Sequence, residues 1–270
     1  MTPTDFDLMA KMLYQRSGLV IGKDKVYLLE SRLVPLARKK GLKSLDELVA
    51  KVRENKDLAL IGDVVEAMTT NESFFFRDSK PFVTFEKETL PAMLKARAAK
   101  KALRIWSAAA STGQEPYSLA MILKENAPKM PGWKIDIIGT DLSNEVLEKA
   151  KAGIYSQFEV QRGLPIQYLM KYFTKTNDVW QIKSDIRAIV QYKVLNLLES
   201  MQSLGQMDVV FCRNVLIYFD QATKGKVLEQ IARVLAPDGV LFLGGAETVV
   251  GISSKFKPVA GQRGVYANAA

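Results

Sequence analysis

The chain has 270 residues, 48% of them apolar and 25% charged, which suits one large α/β domain with a smaller companion. With no histidine and a single cysteine, Cys212, it excludes Ser-His-Asp hydrolysis, Cys-His proteolysis, His-bound metal catalysis and an internal disulfide. A net charge of +9, from 38 basic and 29 acidic residues, favours an acidic partner without choosing between nucleic acid, anionic lipid and protein.

Residues 1–76 read as a small helical domain. Leu29, Leu33, Leu36 and Ala37 recur at helical spacing between about Asp24 and Lys39; Gly41 stops the segment, and Pro35 predicts an irregularity within it. Ser44 followed by Glu47 predicts a capping box for the next helix. No run approaches the ~18 apolar residues of a membrane span, and the first residues lack a signal peptide's apolar centre, so the expected location is the cytoplasm. The domain closes on TTNESFFFR, residues 69–77, where Asn71, Ser73 and Arg77 surround three phenylalanines. Aromatic faces attract cations, sulfonium ions included, although core packing accounts for at least two of the three rings. Arg77 is harder to explain by packing and has the fork geometry to hold a carboxylate. Residues 77–102 form a charged helical linker.

From 103 onward, strand-like and helical runs alternate (103–107, 115–126, 134–140, 143–152, 207–213, 221–235 and 238–244), the pattern of a doubly wound, mainly parallel sheet. LRIWSAAASTGQEPYSLA from Leu103, followed by IDIIGTD ending at Asp141, has the layout of a nucleoside-binding βαβ unit. Its turn has one glycine, Gly113, instead of three, and Asp141 comes later than the roughly 20 residues of the dinucleotide fingerprint. Those departures point to a nucleoside ligand without a pyrophosphate. Asp141, closing a strand, is placed to accept ribose hydroxyls, the other reading being an N-cap for the helix near Ser143. Glu115, just inside the helix, is either a first-turn carboxylate favoured by the helix dipole or the partner of a cationic ligand group.

Between about 153 and 193 the rhythm breaks. VWQI and AIVQY, separated by KSDIR, read as short antiparallel strands of a small β insertion. NLLE follows at 196–199, a weak signal by itself. MDVVFCRNVLIYF, residues 207–219, is a buried strand holding an inert Cys212 and leading to Arg213, Asn214 and Tyr218, which sit above the same crevice or anchor its loop. SSKFKPV and GVYANA around AGQR predict a C-terminal hairpin.

Five motifs, TTNESFFFR, WSAAASTGQEPYSLA, GTDLS, NLL and FCRNVLIYFD, occur in one order, and together they resemble the CheR family of bacterial chemotaxis methyltransferases over nearly the whole chain. The resemblance implies transfer of a methyl group from S-adenosylmethionine, without a metal, to glutamates on the cytoplasmic helical bundle of methyl-accepting receptors. It implies a class I methyltransferase-like domain over 103–270, with the β subdomain inserted at about 153–193. Carried over motif by motif, the cofactor contacts are Asn71, Ser73, Arg77, Glu115, Asp141, Asn196, Leu197, Arg213 and Asn214, and Arg77 and Tyr218 orient the substrate carboxylate. The short connection FTKTNDVW lacks the glycine-containing loop associated with family members that bind a receptor's C-terminal pentapeptide, which implies a tether-independent enzyme. Residues 23–43 carry seven basic side chains against two acids, and Lys25, Arg32 and Lys39, seven apart, share a helix face expected to dock the acidic receptor helices. A monomer without nucleic acid is expected. The alternatives are a nucleic-acid methyltransferase, for which no Asn-Pro-Pro-Tyr/Phe motif follows the 207–213 strand, a non-catalytic receptor-binding scaffold, and a dehydrogenase disfavoured by the single-glycine turn.

Overall fold

Side-chain caps written into the sequence delimit the first helices of the computed structural model, which describes residues 1–269. Thr2 accepts from the Asp5 N–H at the start of α1 (Pro3–Ser17), and Gly18, in the left-handed region, ends it. α2 (Val26–Lys39) buries Leu29, Leu33, Leu36 and Ala37 as their spacing predicts. It continues through Pro35, with the proline on its exposed side. α3 (Leu45–Glu54) begins at Ser44, whose hydroxyl accepts from Glu47 N; the Glu47 carboxylate takes the N–H of Lys43 instead of closing the box on Ser44. α4 (Leu58–Met68) is capped by Asp57. These helices form one unit, Met1–Thr70, with which Tyr218–Thr223 also groups; Val20 N donates to Tyr218 O and the Tyr14 hydroxyl to Asp220.

The second unit, Asn71–Ile217 with Lys224–Ala270, therefore takes in the segment read as a linker. α5 (Lys80–Thr84), a π-helical turn over Phe85–Thr89 and α6 (Leu90–Ala96) follow one another and bury Phe82, Phe85, Leu90 and Met93. Their rings reach the sheet: Phe211 meets Phe82 at 6.1 Å and Phe85 at 5.8 Å, and stacks on Phe242 at 4.4 Å. Apolar burial, not charge, decides where this segment belongs.

Seven strands form the main sheet. β1 (Ala102–Ser107) leads through α7 (Gln114–Glu125) to β2 (Lys134–Asp141), and α8 (Asn144–Ala152) follows. After the insertion come β6 (Val190–Val194), β7 (Met207–Cys212), α12 (Gln221–Val234), β8 (Leu235–Leu243) and the hairpin β9 (Phe256–Pro258) with β10 (Val265–Asn268). The order is β6-β2-β1-β7-β8-β10-β9; the pairs are parallel as far as β8, and β10 alone runs against the rest, antiparallel to both β8 and β9. β7, buried at every residue, sits beside β1, opposite the side on which β2 pairs, so the connections diverge between β1 and β7 and open a crevice at their carboxyl ends.

The insertion is a separate sheet in which β5 (Val179–Ile182) lies between β3 (Ile154–Ser156) and β4 (Phe173–Thr176), all antiparallel. Three short helices, α9 (Gln157–Gln161), α10 (Ile166–Tyr172) and α11 (Ser184–Arg187), accompany it. One expectation is corrected here: AIVQY is not an antiparallel strand of the insertion, because β6 pairs in parallel with β2 as the edge of the main sheet. The insertion closes before Val190.

At the end of the sheet opposite the crevice, Arg97 donates to Asp208 (2.8 Å) and to Asp238, whose carboxyl it holds below its ordinary value, while Asp208 also accepts Arg104 N at 2.8 Å. Removing the ring between Phe242 and the α5–α6 segment should be the costliest single change: Phe211→Ala is expected to lower stability by about 3–5 kcal/mol in urea unfolding.

Candidate active site

At the crevice, the chemistry centres on a buried cation. Arg213 stands just beyond β7 with its side chain 1% exposed. Its Nη1 donates to Glu115 Oε2 at 2.8 Å, and its Nη2 to Asp78 Oδ2 and to the carbonyl of Arg77, both at 2.8 Å. Glu115 completes its pairing with the Ser107 hydroxyl at 2.8 Å. The Glu115 carboxylate thus ties the end of β1 to the residue just beyond β7. Nε of Arg213 is buried with no hydrogen-bond partner, which is costly unless a ligand supplies an acceptor.

Asp141 is likewise not the N-cap of α8, a role taken by Ser143, whose hydroxyl accepts Val146 N. Its carboxylate accepts Ser111 N at 2.9 Å and Ser143 N at 3.0 Å, fastening the turn after β1 to the loop after β2. The small residues of that turn serve close approach. Gly113 has φ +94°, and a Cβ there would stand 2.7 Å from the Tyr192 hydroxyl. Ser111, at φ +49°, donates its hydroxyl to the carbonyl of Asn71, which brings the 71–77 motif over the turn.

The three phenylalanines divide their labour, and only one is fully buried. Phe75 enters the core edge-on to Tyr155 and Phe173. Phe76 packs partly against that core, and its N–H donates to the Ser118 hydroxyl. Phe74 carries two guanidinium groups, Arg162 at 4.2 Å and Arg77 at 5.5 Å from its centroid. Arg77 donates to the carbonyl of Glu72 at 2.7 Å, and the Glu72 carboxyl is held low by its hydrogen bond from Arg162. Phe76, Asp78 and Ser79 all have positive φ, a concentration of unfavourable backbone that a rigid surround must hold.

Asn196 follows Leu195, whose N–H donates to the carbonyl of Asp141; its own side chain accepts Leu198 N, an anchoring bond, and Leu197 is buried. Ser73 is half-buried. Burial pushes the Cys212 thiol well above its ordinary value, so it is no nucleophile. Tyr218 groups with the helical unit, as do Lys25, Arg32 and Lys39. Of these, Arg32 departs from the docking expectation: its guanidinium donates to the carbonyls of Met68 (2.8 Å) and Thr69 (2.6 Å) and to Thr70, finishing the carboxyl end of α4. Lys25 and Lys39 are exposed.

The residue that sequence reading misses is Glu247. Nearly buried in the loop after β8, its carboxylate accepts four backbone N–H groups: Asn214 and Gly244 on Oε2, Val215 and Ile217 on Oε1, at 2.6–3.3 Å. It clasps the loop carrying Arg213 and Asn214 to the loop after β8, with Asn214 at φ +59°. Gly244 leaves room for it, since a Cβ there would meet Glu247 Oε2 at 2.7 Å. The signal in the sequence is a lone acid after an apolar strand and two glycines, LFLGGAE.

Two family descriptions match the chain: "CheR methyltransferase, all-alpha domain" over residues 4–69 and "CheR methyltransferase, SAM binding domain" over residues 71–265. Chemotaxis protein methyltransferase 1 of Pseudomonas aeruginosa is 43% identical over 259 residues, covering 94% of each chain. Chemotaxis protein methyltransferase 1 of Vibrio cholerae is 41% identical over 252 residues, 92% of this chain and 90% of that protein. The chemotaxis protein methyltransferase of Salmonella typhimurium is 34% identical over 257 residues, 93% of this chain and 86% of that protein.

In Glu247→Gln, an amide N–H₂ faces two backbone donors whichever way it is turned. The variant is expected to lose about 2–4 kcal/mol of stability in thermal unfolding and to bind S-adenosylhomocysteine at least roughly tenfold more weakly in calorimetry at a temperature where it stays folded.

Proposed function

Because the chain belongs to the CheR methyltransferase family and is an S-adenosylmethionine-dependent enzyme, we propose that it esterifies glutamate side chains on the cytoplasmic helical bundle of chemotaxis receptors. The observation that carries the reading is the buried set Ser107, Glu115 and Arg213 at the carboxyl ends of β1 and β7, with Asp141 at the end of β2. This donor set fits the cofactor chemically. Two carboxylates, Glu115 and Asp141, suit a ligand with a cationic amino group and a ribose diol, whereas a pyrophosphate would be repelled at Glu115. The orphaned Arg213 Nε is a buried donor toward a ligand acceptor.

Bound S-adenosylmethionine supplies a methyl group on a sulfonium, already activated for transfer. The chain's own task is then positioning. Asn71, Ser73, Asn196, Leu197 and Asn214 complete the cofactor's surround, and Arg77 orients the substrate carboxylate. Arg77 commits one N–H to the Glu72 carbonyl, and its remaining N–H groups have no protein partner among the described residues. A glutamate with an ordinary pKa near 4.3 is ionised at neutral pH, so alignment and desolvation matter more than a general base. A protein without histidine is suited to this. The enzyme acts in the cytoplasm, and among the described residues no helix is long and apolar enough to cross a membrane.

Lys25 and Lys39, without Arg32, are the cations of α2 and its approach that meet the receptor's acidic helices. The β4–β5 connection is a two-residue turn, Asn177–Asp178, which supports a receptor interaction that needs no C-terminal tether.

Labelled methyl transfer from S-adenosylmethionine to receptor fragments, with and without their C-terminal tails, tests the reading; the product must release methanol in base, as an ester does. Arg77→Ala is expected to lower kcat/KM for this transfer by about 100-fold or more while the melting temperature is kept. Reversing the charge of Lys25 and Lys39 together is expected to raise KM for receptor several-fold at low salt, with kcat unchanged and the effect fading as salt rises.

A further inference from the structure

The chain's positive charge is concentrated. Residues 1–70 hold twelve basic and ten acidic side chains. The rest of the excess lies wholly in two segments, 80–101 and 251–270, which together carry nine basic residues against Glu86 and Glu88. Elsewhere from 71 to 250 the two signs are equal, seventeen of each.

The fold brings both segments to one face of the main sheet. α5, the π turn and α6 cover that face through Phe82 and Phe85, and Val265 of β10 belongs to the same apolar cluster. Strand alternation puts Ala267 on the side of Val265, and Lys257, opposite Ala267 in the antiparallel register, shares that side. Gln262, in the hairpin turn next to Arg263, hydrogen-bonds Glu88 and so joins the hairpin to the helical segment. Lys95, Lys100, Lys101, Lys255, Lys257 and Arg263 are all exposed, and none has an ion-pair partner among the described residues. The two acids offer little relief: Glu86 pairs with Lys87 at 3.6 Å and Glu88 is taken by Gln262. The one arginine of the helical segment, Arg97, is turned away to Asp208 and Asp238.

We propose that this face docks the protein on an anionic phospholipid surface. Its cations are almost all lysines, strongly hydrated point charges on flexible stems, where a site for discrete carboxylates or phosphates would use the arginine fork. No aromatic side chain is exposed in either segment, so stacking on nucleobases has no platform. A broad lysine array without such anchors matches a plane of headgroups, near which each lysine strengthens binding roughly fivefold within a Debye length.

Co-sedimentation with phosphatidylcholine vesicles, with and without phosphatidylglycerol, tests this. The protein is expected to bind the phosphatidylglycerol vesicles at least roughly tenfold more tightly, with the advantage lost at high salt. The K95E/K100E/K101E/K257E variant is expected to lose that advantage while keeping its melting temperature and its affinity for S-adenosylhomocysteine. Equal binding to both vesicles overturns the proposal, as does undiminished binding by the folded variant. Indifference to both vesicles together with lysine-dependent binding of polyglutamate assigns the face to an acidic protein and also overturns it.

Discussion

A guanidinium removed from water dictates the layout of this site. Arg213 is buried beyond β7, and a buried charge is tolerated only when paired and hydrogen-bonded. Its partners come from two stretches distant in sequence: Glu115 on α7, and the Asp78 carboxylate with the Arg77 carbonyl in the turn after the phenylalanines. Meeting that one electrostatic demand docks the 71–79 segment against the ends of β1 and β7.

Two further carboxylates extend the principle by acting on backbone instead of on charge. Asp141 gathers N–H groups from the loops after β1 and β2, and Glu247 from those after β7 and β8. Loops at the end of a sheet lack the ladder bonds that hold strands, and a carboxylate offers several acceptor sites to N–H groups that would otherwise be unsatisfied. The positive φ values of Ser111 and Asn214 occur where these staples and their neighbours hold the chain. Rigid loops are what a transfer reaction without a general base requires, because its acceleration rests on alignment.

Charge is partitioned by function along the chain. Some arginines are spent inside or against backbone: Arg213 at the site, Arg97 at the far end of the sheet, Arg32 on the last carbonyls of α4. Lysines stay outside, on α2 and on the face over α5 and α6. A count of basic residues over 23–43 cannot separate the two uses, and so Arg32 reads as a surface cation until its partners are known.

Much of the fold is legible without coordinates. The α/β alternation from 103 onward, the helical first domain, the inserted β sheet and the C-terminal hairpin follow from periodicities of 3.6 and 2 and from the turn residues between them, all local properties. The ordered motifs likewise single out Glu115 and Arg213, which the structure pairs at 2.8 Å. What failed is what depends on remote partners. AIVQY looks like any short strand, and only its hydrogen bonds to β2 make it the parallel edge of the main sheet. Residues 77–102 look like a charged linker because the apolar minority that matters, Phe82 and Phe85, has meaning only against Phe211. Glu247 is unremarkable until four N–H groups from separate loops converge on it. By itself the sequence determined the elements, their order and the residue types of the site, since these rest on neighbours within a few positions. The tertiary structure alone decided which charges are paired, which loops are stapled and which cations remain free, because electrostatic satisfaction is a property of distances in space and not of spacing along the chain.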